Sequence, residues 1–309
     1  MDILIIILTA VVIDVTFGEP PAKIHPVVLM GGVINKVKKL LHNYNSRLSG
    51  IILTSIVLII FIFIFLILIK ASSFNYYLYI LISSLLLSTT FAIKSLLNSV
   101  VLVRNDIDID FNRAKTTVSY LVSRKTSNLS KEELISATIE TLTENITDSV
   151  IAPLIYAFIF GVLGAVFYRV INTLDAMVGY KNPENINIGW FPAKIDDLLN
   201  YIPARITGFI VIMASIILKL NWKNAYKVMM RDAKNTPSPN SGYPMAATAG
   251  ALDIQLKKLG YYKLGDEINP INSDTITKAI LLTKITIIIF LLILTILFAI
   301  FAWITIILL

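Results

Sequence analysis

Two stretches of this chain leave a folding polypeptide little choice. Ile51 to Ile69 contains no charged residue, and the run from 281 to 309 holds one, Lys284. An α-helix rises about 1.5 Å per residue, so roughly 20 apolar residues cross the roughly 30 Å hydrocarbon core of a bilayer. Both runs therefore predict spanning helices. Composition points the same way: 56% of residues are hydrophobic and 15% charged, well away from the soluble globular norm. The expected fold is all-α, a polytopic membrane protein with about five to seven membrane helices.

The run from Ile3 to Val15 carries Asp14, and Asp2 stands where a signal peptide would be basic, so it reads as a retained first helix. The chain has no cysteine, which excludes disulfides and thiolate metal sites. With His25 and His42 as its only histidines, a multi-histidine centre is not expected either.

The net charge of +7 is informative through its placement. Lys36, Lys38, Lys39 and Arg47 follow the first span. Arg104, Arg113, Lys115, Arg124, Lys125 and Lys131 form a second group, and Lys223, Lys227, Arg231 and Lys234 a third. Positive residues collect on the cytoplasmic side, which predicts cytoplasmic loops at 18–49, 104–147 and 221–278 and an outside N-terminus. Basic loops beside spans explain the charge without nucleic acid as a partner. Residues 1–309 are expected to form a single integral membrane domain, with further helices near 76–103 and 203–220.

Residues 149–180 allow two readings. They can form one crossing, or Pro153, Gly161 and Gly164 can break them into a helical hairpin buried in protein. Just before them, TLTENITDSVIAPL carries Glu144 and Asp148, with Glu140 at the same spacing. Ser130 and Glu133 form a capping box that predicts a helix starting there, which puts the three carboxylates on one stripe. Like charges four apart repel unless a cation lies between them, and hard carboxylate oxygens suit Mg²⁺. A solvated face neutralised by Lys or Arg is the other reading.

Further on, Arg169, Asn172 and Asp175 share one helix face in an apolar setting, where polar groups are costly and default to a functional role. A plain Arg–Asp helix lock is the alternative. RDAKNTPSPNSGYP (231–244) is a loop rich in turn formers that can present Asp232, Ser238 and Asn240 to a ligand. His25 lies between prolines in GEPPAKIHPVVLMG, and an isolated histidine is more often a packed or capping residue. G-x-x-x-x-G-K-[ST], G-x-G-x-x-G and G-x-S-x-G are all absent, which excludes a standard P-loop and a serine-hydrolase elbow.

Taken together, these segments resemble the CbiB/CobD family of cobalamin biosynthesis, the membrane-bound adenosylcobinamide-phosphate synthases. The likeness covers nearly the whole chain. It rests on GEP…HPV…MG (18–31), ETLTENITDSVIAPL (140–154), YRVINTLDAMVGY (168–180), GW…DDLLNYIPAR (189–205) and RDAKNTPSPNSGYP. The chain departs from the family pattern at Ser123 and Lys125 around Arg124, and at Met245.

The resemblance implies an ATP-dependent amide ligation. It would join (R)-1-amino-2-propanol, or its O-phosphate, to a propionate of adenosylcobyric acid in the cell membrane. ATP and Mg²⁺ are the implied cofactors. Asp175, Arg205, Arg169 and Asn172 are expected at the reacting centre. Arg124, Arg231, Asp232, Ser238, Asn240 and His25 are expected on the nucleotide, and Glu140, Glu144 and Asp148 on the metal. Expected partners are the corrinoid, the amine, membrane lipid and other membrane proteins of the pathway. The competing class is an AmpE-like sensor or a transporter without ligase chemistry.

Overall fold

The structure is a computed structural model that describes residues 2–41 and 46–308; His42 lies outside the described residues. In chain order the helices begin with α1 (Asp2–Phe17), α2 (Pro26–Leu41), α3 (Arg47–Ser72), α4 (Tyr76–Ser88), α5 (Ile93–Asp106), α6 (Phe111–Ser119) and α7 (Lys131–Ile146). A π-helical turn, Thr147–Ile151, leads into α8 (Ala152–Val178). There follow α9 (Trp190–Leu199), α10 (Tyr201–Ile217), α11 (Trp222–Asp232) and α12 (Gly242–Leu252), then the strands β1 (Leu256–Lys258) and β2 (Tyr262–Leu264), and α13 (Ser273–Leu308). The strands pair antiparallel as a small hairpin.

The fold is an all-α polytopic membrane protein. Among the described residues four helices are long and apolar enough to cross a bilayer, or five if the bent pair α9–α10 counts as one. Five meets the lower edge of the expected range and four falls one short of it. The reason is length: α1, with 16 residues, reaches only about 24 Å, and α4 counts with α5 as one candidate span, Tyr76–Asp106.

The chain packs as two compact units. One takes the chain up to Lys94 and again Ala152–Asn200; the other takes Ser95–Ile151 and Tyr201–Ile304. In the first unit α1 and α4 lie side by side with their starts together, since the Tyr76 hydroxyl donates to Asp2. Their far ends meet the start of α5, where buried Asp14 accepts the backbone N–H groups of Ile93 and Lys94 at 2.9 and 3.0 Å. A helix N-terminus leaves such donors orphaned, and here a carboxylate from another helix satisfies them. The charge inside the first apolar run is therefore a helix cap.

The stretch 149–180 resolves as a hairpin. At Gly161 the backbone leaves the helix with φ +70 and ψ −170. Tyr156 and Tyr168 stack with ring centroids 5.3 Å apart, although twelve residues of straight helix would hold them about 18 Å apart. The arms touch where a Cβ on Gly164 would stand 2.5 Å from the Tyr156 carbonyl oxygen. The first arm, Ala152 to Phe160, is about 13 Å long, and the chain turns back at Gly161, so the segment is a helical hairpin and not one straight crossing. Tyr156 and Tyr168 both reach the end of α9, donating to the Leu199 carbonyl and Asn200 Oδ1.

In the second unit, the Ser130–Glu133 capping box opens α7 as the sequence predicts. Helices α2, α11 and α12 and the β-hairpin fall where polarity predicts loops. Their apolar residues are too sparse for a span but periodic enough to bury one face; α11 hides Ala225, Val228 and Met229 against α12.

Candidate functional site

Candidate residues occur in both units. In the first, the return arm of the hairpin carries Arg169, Asn172 and Asp175 back past the level where the first arm begins, since Arg169 lies eight residues beyond Gly161 and Pro153 eight before it. Arg169 is buried; its Nε donates to the Thr90 carbonyl and its Nη1 to Asn172 Oδ1 at 3.1 Å. Asn172 Nδ2 donates to Asp196 Oδ1 at 3.3 Å, and Asn200 Nδ2 to Asp196 Oδ2 at 3.0 Å. Tyr168 closes the chain through Asn200 at 2.8 Å. The result is one continuous polar network that joins the hairpin, the end of α4 and α9.

Asp175, one turn beyond Asn172, is half-buried with its carboxylate close over Gly179; a Cβ there would stand 2.0 Å from Oδ1. His25 has a separate job in this unit. Its Nδ1 accepts the Val27 N–H at 3.1 Å, capping α2, which places the ring proton on Nε2, 3.6 Å from Glu19 Oε1.

The second unit brings Arg205, Asn240 and Ser238 together. The Arg205 guanidinium lies between the rings of Tyr201 and Tyr243, at 3.4 and 4.2 Å from their centroids. It donates to the Tyr201 carbonyl and to Asn240 Oδ1. Asn240 is buried, and Ser238 Oγ accepts the N–H groups of Asn240 and Ser241, which folds the SPNSG turn at the start of α12. Gly242 is obligatory there, because a Cβ would meet the Ala233 carbonyl oxygen at 1.9 Å. Stacking on two aromatic faces holds the planar fork in one orientation, which a lysine could not reproduce.

Arg231 and Asp232 stand apart from that cluster. Arg231 Nε and Nη2 bond the two Asp232 oxygens at 2.7 and 2.8 Å, while Nη1 and Nη2 reach Asp266. Asp232 Oδ2 also accepts the Gly265 N–H, which ties the end of α11 to the turn after β2. Hydrogen bonds donated to Asp232 and then to Asp266 push the Arg231 guanidinium further above its ordinary value. Burial works against the Asp232 carboxylate, but the Arg231 and Gly265 bonds together outweigh it and hold its carboxyl below the usual value. Phosphate would reach Arg231 only by displacing these carboxylates.

The acidic stripe is divided in its environment. Glu140 is buried, and its oxygens accept from Arg124 Nη2 (3.2 Å to each), Ser136 Oγ (2.7 Å) and the Tyr262 hydroxyl (2.7 Å). Burial first, then the Glu140 and Glu144 charges, raise the Tyr262 phenol above its ordinary value, so it stays a donor. Glu144 and Asp148 are half-buried, and Asp148 stands in the π-turn, a distortion frequent at functional sites. Thr147 shares their face, and its buried hydroxyl has no hydrogen-bond partner. Among the described residues no group of three or more His, Asp or Glu is arranged to hold a metal. Mg²⁺ takes one or two carboxylates and fills its shell with water and phosphate, so half-buried Glu144 and Asp148, with the unpartnered Thr147 hydroxyl on their face, are the residues that would hold such an ion. Glu140, with its acceptors spent, would not.

Sequence reasoning missed Asp196, Thr90 and Asn200 as members of the buried network, and Tyr201, Tyr243 and Tyr262 as partners of charged groups. Spacing held part of the signal: Asn200 stands four residues after Asp196, and Tyr201 four before Arg205. Which ring or carbonyl faces which guanidinium is set by tertiary packing.

Comparison with known proteins bears on all of these positions. The family described as CobD/Cbib protein matches residues 7–285. The probable cobalamin biosynthesis protein CobD of Methanothermobacter thermautotrophicus is 47% identical over 92% of this chain and 94% of its own length. Its namesake from Methanocaldococcus jannaschii is 38% identical over 97% of this chain and 99% of its own. The cobalamin biosynthesis protein CobD of Dehalococcoides mccartyi is 36% identical over 91% and 93%. No solved structure matches. With the match running from α1 into α13 and taking in every candidate residue above, the chain belongs to the CobD/CbiB family.

Proposed function

We propose that this protein is a cell-membrane enzyme of cobalamin biosynthesis that ligates (R)-1-amino-2-propanol, or its O-phosphate, to a propionate of adenosylcobyric acid at the expense of ATP. The role in cobalamin synthesis draws on the names of the relatives. The observation that carries the chemistry is Arg205, held flat between Tyr201 and Tyr243 beside Asn240. A fixed guanidinium fork suits a carboxylate or a phosphate, and this reaction has both.

A carboxylate is a poor electrophile. In the proposed sequence a propionate oxygen attacks the γ-phosphorus of ATP, the bond to ADP breaks, and an acyl phosphate forms. The amine nitrogen then attacks the acyl carbon, phosphate leaves with the C–O bond electrons, and the nitrogen loses its proton to give the amide. Arg205 orients an anionic group of the reactants, the propionate carboxylate or a phosphate. Arg169 and Asn172 brace the return arm that carries Asp175 through Thr90 and Asp196. Mg²⁺ bound at Glu144 and Asp148 would neutralise phosphate charge.

Membranes bearing the protein, incubated with adenosylcobyric acid, either amine and MgATP, should yield the corresponding amide by mass spectrometry. No product with either amine would sink the ligase reading. The helical hairpin favours one competitor, a transporter, because broken helices line transport sites. Corrinoid uptake into sealed vesicles without product formation would establish that alternative.

A further inference from the structure

Glu140 is a buried carboxylate in a helix face that invites a metal reading, yet four donor contacts consume its oxygens. Two come from Arg124 Nη2, and the others from Ser136 and Tyr262. The contacts arrive from three separate pieces of chain: the segment before α7, α7 itself and β2. The backbone N–H of Lys257 in β1 bonds Ser136 Oγ at 3.0 Å, so the β-hairpin grips the same point twice.

An arrangement like this fixes Arg124 without using it up. Only Nη2 of the guanidinium has an acceptor among the described residues, which leaves Nε–H and both Nη1–H groups unspent. The Arg124 side chain is 17% exposed, and neither unspent nitrogen is among the sealed polar atoms that lack a partner, so that edge reaches the surface. Beside it, exposed Lys125 has no ion pair among the described residues, whereas nearby Arg113 and Lys131 are paired with Asp106 and Asp108. A mostly buried guanidinium with three open donors, next to an uncompensated lysine, is a seat for a multiply charged anion with oxygen acceptors.

We infer that Glu140 is the positioning residue of a phosphate-binding Arg124, clamped by Tyr262 and Ser136, and not a ligand of a metal ion. The inference rests on the proposed ATP-dependent reading for what the phosphate belongs to, and on geometry alone for the seat. Burying the Glu140–Arg124 pair costs desolvation that attraction only partly returns, so such pairs are kept where orientation is worth more than stability. The β-hairpin holds the pair at two points, through the Tyr262 hydroxyl on Glu140 and the Lys257 N–H on Ser136.

The test uses the full-length protein purified in detergent, with inorganic pyrophosphate as probe, titrated with and without Mg²⁺. Wild type should bind pyrophosphate without Mg²⁺. Arg124→Lys and Glu140→Gln should each weaken that binding about tenfold or more, and Tyr262→Phe should weaken it less. The gain that Mg²⁺ brings to wild type should be kept in Glu140→Gln. Should Glu140→Gln fail to accumulate, Tyr262→Phe read against Arg124→Lys carries the same comparison.

Loss in Glu140→Gln confined to the Mg²⁺-dependent component would make Glu140 a metal ligand and overturn the inference. Unchanged Mg²⁺-free binding in both Arg124→Lys and Glu140→Gln would also overturn it. Binding that behaves as expected in a protein that makes no amide product would remove the ligase reading and leave the anion seat standing.

Discussion

Arg205 shows how much depends on the shape of one side chain. Its charge alone would attract an anion, but the rings of Tyr201 and Tyr243 also hold it to a plane. Arg205→Lys keeps the charge and loses the stack and the fork. Amide formation should fall about tenfold or more, roughly 1.4 kcal/mol, with the protein still present in membranes at wild-type level. Full activity in Arg205→Lys would reduce Arg205 to a topology determinant. Asp14 is the complementary case, a charge whose job is structural. Asp14→Asn keeps an acceptor for the Ile93 and Lys94 N–H groups, whereas Asp14→Leu strands both at a cost of about 1–3 kcal/mol per group. Thermal unfolding in detergent should place the leucine variant well below the asparagine one.

Among the elements, the hairpin in α8 is the most sensitive to small changes. Gly161 holds a positive φ with an extended ψ in open space, so Gly161→Ala meets backbone strain without a clash, about 1–3 kcal/mol. At Gly164 the conformation is ordinary but the arms are in contact, and any Cβ collides with the Tyr156 carbonyl. Gly164→Val should therefore cost more stability than Gly161→Ala, and equal melting points would refute the close approach of the arms. A second element-level test concerns α11 and the turn after β2. Because Asp232 titrates below its ordinary value, the stabilisation from its bonds is complete above the usual carboxylate range and disappears as pH falls through the lowered value. The stability advantage of wild type over Asp232→Asn should hold from pH 7 to about 5 and shrink below about pH 4.

At the scale of the whole molecule, the basic segments that predict the cytoplasmic face also carry the second unit's charged clusters. Single cysteines at Ser127 and Lys257 should label from the same side of the membrane; labelling from opposite sides would separate Arg124 from the hairpin said to clamp it. Much of the architecture was legible in sequence. Long apolar runs announced α3 and α13, the capping box opened α7 at the right residue, and Pro153, Gly161 and Gly164 marked a hairpin as one of two outcomes. The site was legible as a set of residue types and not as a set of pairings. Glu140 looked like a metal ligand because its spacing matches Glu144 and Asp148; Arg124 and Tyr262, which claim its oxygens, stand 16 and 122 residues away. Periodicity reports which face a residue shares, and only packing decides who meets it there.

The short first arm of α8 has a consequence for how the protein is made. A segment of nine residues capped by exposed Ile159 and Phe160 offers the insertion machinery no complete span to recognise. Tyr156 on this arm and Tyr168 on the return arm are anchored by Leu199 and Asn200, which leave the ribosome later. Backbone that turns inside the lipid layer is tolerated only when protein surrounds it, so the hairpin has to wait for α9 before it can settle. Nascent chains halted soon after residue 180 should be cut by added protease within the hairpin, while chains extended through α10 should resist. Biogenesis would then proceed by late docking of a half-inserted loop, and variants that weaken the Tyr168–Asn200 contact should be lost to quality control before they show any defect in catalysis.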